Sequence, residues 1–62
     1  MRYVVEYIAT GIDSLSKPKS NRIVVLTNSL PHAIHEAIEY AKRRNQKILE
    51  ITNYYWLDDD EV

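Results

Sequence analysis

The chain has no cysteine and no phenylalanine, only one glycine, one methionine and two prolines, and no apolar stretch that approaches the length of a membrane span. Each scarcity removes a class of function. Without cysteine there is neither a disulfide framework nor a thiolate zinc site. With Gly11 as its single glycine the chain has no glycine-rich phosphate loop. The first residues, Met1 to Glu6, lack the apolar core and small-residue cleavage site of a signal peptide, so the expectation is a soluble cytoplasmic protein with no membrane partner. Charge is also nearly balanced, at −1 overall, whereas chains that live on phosphate contacts are usually markedly basic.

What remains is a 62-residue chain, 45% hydrophobic and 27% charged, which suits a small globular core. A domain of this size buries only about 60% of the surface its unfolded chain exposes, and with no covalent staple it is a candidate for pairing with a second copy of itself.

Along the chain, Arg2 to Thr10 is rich in β-branched and aromatic residues and reads as a first strand. Gly11 to Asn21, with Asp13, three serines, Pro18 and two lysines, has the composition of a connection. Arg22 to Thr27, built on Ile23-Val24-Val25-Leu26, reads as a short strand at the centre of a sheet. Leu30, Ala33, Ile34, Ala37, Ile38 and Ala41 then recur at three-and-four spacing, the stripe of a helix that packs on that sheet. Ser29 is placed to cap it and Pro31 falls in its first turn; Lys42, Arg43 and Arg44 meet the negative end of its dipole, and Asn45 suits a left-handed stop.

Lys47 to Asn53 alternates as a third strand, with Leu49 and Ile51 set against Ile48, Glu50 and Thr52. Tyr54 to Leu57 either continue it past a bend at Asn53 or form a short fourth strand. The pattern predicts one α+β domain over residues 1–57: a three- or four-stranded antiparallel sheet with one helix on one face, in the order β-β-α-β. Residues 58–62 form an acidic tail expected to fray, since Asp58, Asp59, Asp60 and Glu61 repel one another.

Several residue sets invite a chemical reading. His35-Glu36-Ala37-Ile38-Glu39 has the glutamate of a zinc-hydrolase helix but Glu39 where the second histidine belongs, and His32 with Glu36 has no third ligand nearby, so these side chains read as a solvated helix face and no metal is expected. The remaining acids are scattered, and one helix over a small sheet leaves little room for a pocket that perturbs them, so neither catalysis nor a cofactor is expected. Lys17, Lys19 and Arg22 on the loop side, and Lys42, Arg43, Arg44 and Lys47 around the helix end, are two basic patches able to bind nucleic acid, opposed by the acidic tail. The segment Tyr54-Tyr55-Trp56-Leu57-Asp58-Asp59-Asp60-Glu61 carries the strongest signal, because aromatics concentrate interface energy and adjacent acids steer a basic partner. The expectation is a non-catalytic protein-binding module; a nucleic-acid binder and a structural homodimer are the alternatives.

From Val24 to Leu57, a strand leading into Asn28-Ser29-Leu30, an alanine-studded helix through Ala41 and a strand with an aromatic-rich end give a layout that resembles very small phage-encoded anti-defence proteins, some anti-CRISPR proteins among them. The resemblance implies a class, a compact inhibitor that binds and blocks a host macromolecular complex, and transfers no functional residue.

Overall fold

A computed structural model describes residues 1–12 and 17–58 of the chain. Three strands, β1 (Arg2–Gly11), β2 (Lys19–Val25) and β3 (Gln46–Leu57), form one antiparallel sheet in the order β2-β1-β3, with the helix α1 (Leu30–Arg43) between β2 and β3 in sequence. The expected α+β layout, β-β-α-β with one helix on the sheet, is what the protein adopts.

The sheet centre, however, is β1 and not the second strand. Val4 and Val5 are both buried although successive residues of a strand face opposite ways, as a strand with neighbours on both sides allows. Strand β2 lies at an edge and its burial alternates, which is why its apolar run ends in the exposed Leu26. It also begins at Lys19, three residues before the position expected from its hydrophobic pattern, because Lys19, Ser20 and Asn21 extend the ladder opposite Ala9, Ile8 and Tyr7. Pairing with a formed strand recruits polar residues that periodicity alone leaves in the loop.

The helix starts as its sequence dictates. Ser29 sits in extended backbone and its hydroxyl accepts from the His32 amide at 3.5 Å, with Pro31 in the first turn. Its end is also fixed locally: the amides of Arg44 and Asn45 donate to the carbonyls of Ala41 and Lys42, and Asn45 takes φ 57°. From there the Asn45 carbonyl accepts from the Ile12 amide at 3.0 Å, tying the end of the helix to the end of β1.

The buried stripe is narrower than the six residues expected. Ala33, Ala37 and Ala41 are buried against the core of Val5, Tyr7, Ala9 and Val25; Leu30 and Ile34 flank it half-buried, and Ile38 is turned outward far enough to be exposed. Alanine at every fourth position brings the helix backbone close to the sheet, so the larger residues on either side reach past the contact line.

Strand β3 is one twelve-residue strand, which settles the alternatives left by Asn53. It accommodates two register shifts against β1, one between Glu6 and Tyr7 and one between Ile8 and Ala9, so Thr52 and Leu49 are each extra residues opposite β1. These bulges reset the alternation. Ile48 and Ile51, three apart, both pack toward the helix, and Leu49 is exposed, not paired with Ile51 on one face as simple alternation expects.

Two substitutions test this geometry by urea unfolding. Ala37→Leu inserts bulk where the helix meets the sheet and is expected to cost about 1–3 kcal/mol. Asn45→Val forces a β-branched residue into left-handed backbone and is expected to cost about 1–2 kcal/mol, with Asn45→Gly near neutral.

Candidate functional site

Helix and strands differ in reach. Fourteen helical residues span about 21 Å, whereas the ten of β1 span about 33 Å and the twelve of β3 about 40 Å, and the fold measures 42 Å along its longest axis. Because the end of α1 is anchored beside Gly11 and Gln46, the shortfall falls at the opposite end, where Tyr3 lies between Val25 and Trp56.

At that end, large apolar side chains stay in solvent. Leu26 is 81% exposed, Tyr54 52% and Trp56 47%, and Met1 is also exposed. The register places Tyr54 opposite Val5 and Trp56 opposite Tyr3, on the face that carries the helix. Tyr55 lies on the other face, opposite Val4, whose second neighbour across the sheet is Val24; Val4, only 2% exposed, is thus flanked by apolar residues on both sides. The three aromatics do not act as one row: strand alternation splits them, and the bulge at Thr52 puts Tyr54 and Trp56, not Tyr55, on the helix side. The Thr52 hydroxyl donates to the Glu6 carbonyl at 3.1 Å, and the Asn53 side chain donates to the Glu6 carboxylate at 3.4 Å while accepting from the Tyr54 amide at 2.9 Å, which holds the bulge. Asp58 follows, exposed; Asp59, Asp60 and Glu61 lie outside the described residues.

The basic residues are redistributed. Lys17, Lys19 and Arg44, from the two separate patches, line one cavity of about 340 Å³ together with Ala9, Gly11, Asn45 and Gln46. Arg22 goes to the face without the helix, opposite Glu6. Lys42 is 3.7 Å from Glu39, and with Lys47 it borders an apolar groove of about 440 Å³ formed by Ile12, Ile38, Ile48 and Ile51. Arg43 closes the helix, exposed. Arg44 is held by the Tyr40 hydroxyl, which accepts from its guanidinium at 3.1 Å, and lies 5.4 Å from the Tyr40 ring centre.

His32 and Glu36 approach to 3.9 Å and His35 and Glu39 to 4.0 Å on the exposed side of the helix, the i, i+4 pairs of a solvated face. Among the described residues no three histidine or acidic side chains group closely enough to hold a metal ion, and no helix is long and apolar enough to cross a membrane.

Sequence reasoning missed Met1 and Leu26 at the aromatic end, and Ala9, Gly11, Asn45 and Gln46 around the cavity. Leu26 carried a usable signal, being the last residue of an apolar run that an edge strand cannot wholly bury. The cavity carried none, since it exists only because the β1 and α1 ends are joined.

Tyr7 sits at the heart of the core, and burial pushes its hydroxyl pKa upward; the nearby Tyr40 adds to the rise and Arg44 opposes it. A phenol whose pKa is raised by folding binds its proton more tightly in the folded state. Its stabilising contribution is therefore intact below the unfolded value of about 10 and lost as pH climbs through the folded value. Stability measured by urea titration is expected to fall above pH ~10, and Tyr7→Phe is expected to shrink that alkaline loss relative to the unmodified chain.

Comparison with protein-family models, with curated proteins and with solved structures finds no match.

Proposed function

We propose that the protein is a non-catalytic binding module that docks a protein partner at the end of the sheet beyond the helix. The observation that carries this reading is the exposure of Tyr54 and Trp56 on the helix-bearing face of β3, with Leu26 exposed across β1 at the same end of the sheet. Soluble domains bury such side chains when they can, and aromatic residues left in solvent on one face are the usual composition of an interface centre. The acids that follow, Asp58 in the fold and Asp59 to Glu61 in sequence, match a partner whose apolar pocket has a basic rim.

Two aromatic anchors on the helix-bearing face, Tyr54 and Trp56, insert into the partner, and Tyr55 belongs to the opposite surface and contributes through the sheet. Binding of this kind acts by occupancy. Blocking a host macromolecular complex, the role that the layout's resemblance to small phage-encoded inhibitors implies, needs nothing beyond such a tight, correctly placed contact.

Deleting the segment 54–62 is a poor test, because Tyr54 to Leu57 pair with Val5 to Arg2 and their loss would shorten the sheet. Point substitutions separate the roles. Tagged protein carrying Trp56→Ala or Tyr54→Ala is expected to keep its amide spectrum while losing about 2 kcal/mol or more of affinity for the captured partner, read by nuclease-treated pull-down from host lysate and titration. Asp58→Lys is expected to slow association, most at low salt. Folded variants that capture the same partner at undiminished affinity, or capture that disappears with nuclease, would overturn the reading.

A further inference from the structure

The cavity at the other end of the sheet has a composition that docking at the aromatic end does not explain. The helix-side residues of β1 run Tyr3, Val5, Tyr7, Ala9 and Gly11, so side-chain bulk vanishes over the last two positions. Between the start of β2 and the end of α1 this leaves a hollow of about 340 Å³ whose wall carries the cations of Lys17, Lys19 and Arg44 and the amides of Asn45 and Gln46, with no carboxylate lining it among the described residues. That volume falls at the small end of ligand pockets, which run from about 300 to 1,000 Å³.

We propose that this cavity binds the phosphoryl group of a small phosphorylated ligand. Three full positive charges face one hollow, against a helix C-terminus worth about half a negative charge whose last carbonyls are already engaged by the Arg44 and Asn45 amides. The site is partly built in advance. Arg44, the residue able to grip two phosphate oxygens at once, is oriented by its hydrogen bond to Tyr40 and by the Tyr40 ring, so less side-chain freedom is lost on binding.

The arrangement favours a discrete ligand over a nucleic-acid strand. A phosphate backbone needs cations in sequence along a track, and the remaining ones are dispersed: Arg22 is on the far face of the sheet, Arg2 is at its other end, Arg43 closes the helix, and Lys42 and Lys47 border the adjoining apolar groove.

Titration with inorganic phosphate, with uridine 5′-monophosphate and with a ten-nucleotide single strand, followed by amide chemical shifts, tests this. Expected is saturable movement of the Gly11, Asn45 and Gln46 amides with phosphate and more tightly with the monophosphate, weakened about tenfold or more by Lys17→Glu with Lys19→Glu and unchanged by Lys42→Glu with Lys47→Glu. All four lysines are exposed, so both double variants are expected to fold, and the unperturbed spectrum verifies it. No saturable shift at millimolar phosphate, equal losses in the two double variants, or tighter binding of the single strand that depends on Arg22, Lys42 and Lys47 would each overturn the proposal. None of these outcomes bears on docking at the aromatic end, so the two readings fail separately.

Discussion

The close approach of α1 to the central strand is the constraint on which the rest depends. Ala33, Ala37 and Ala41 present almost no side chain, which lets the helix backbone settle onto Val5, Tyr7 and Ala9. In a chain with so little core, that short contact line must supply most of the tertiary packing. It also fixes where the helix lies along the sheet, since the Asn45 carbonyl is tied to the Ile12 amide at the end of β1. A helix about 21 Å long pinned at one end of a longer sheet necessarily leaves the other end bare. The exposed aromatics and the basic hollow are therefore two consequences of one placement: the first is where the helix fails to reach, and the second is where it stops beside the small residues of β1.

The bulges in β3 do the second part of the work. A strand with regular alternation carries Leu49, Ile51, Asn53 and Tyr55 on one face, which would put Asn53 toward the helix and send Ile48, Tyr54 and Trp56 away from it. The extra residues at Leu49 and Thr52 instead return Ile48, Ile51, Tyr54 and Trp56 to the helix side. The core gains a second isoleucine, Ile48 beside Ile51. The cost is one exposed leucine, and the proposed docking end inherits Tyr54 and Trp56 on the helix side.

Charge follows the same geometry. Net charge is close to zero, yet Lys17, Lys19, Lys42, Arg43, Arg44 and Lys47 lie toward the helix end, with Arg22 opposite Glu6 and Arg2 opposite Leu57, while Asp58 begins the acidic run at the far end of a 42 Å body. Separating the signs by more than a Debye length at physiological salt, about 8 Å, leaves each end to act on its own. A basic-rimmed protein partner and a phosphorylated small ligand are thus compatible on one small domain without competing for a surface.

The sequence by itself determined the elements whose causes are local. Ser29 and Pro31 start the helix, Asn45 stops it through left-handed backbone, and the β-branched runs mark all three strands, because caps, periodicity and propensity act over a few residues. The α+β class followed from their order. Tertiary structure alone decided which strand is central, since pairing partners are nonlocal and the apolar run of Ile23 to Leu26 resembles a buried strand although it forms an edge. It alone decided the faces of Tyr54, Tyr55 and Trp56, because one inserted residue opposite β1 reverses every side chain beyond it. It alone brought Lys17 and Lys19 to Arg44, residues more than twenty positions apart in the chain, because their meeting depends on where the helix end is fastened to the sheet.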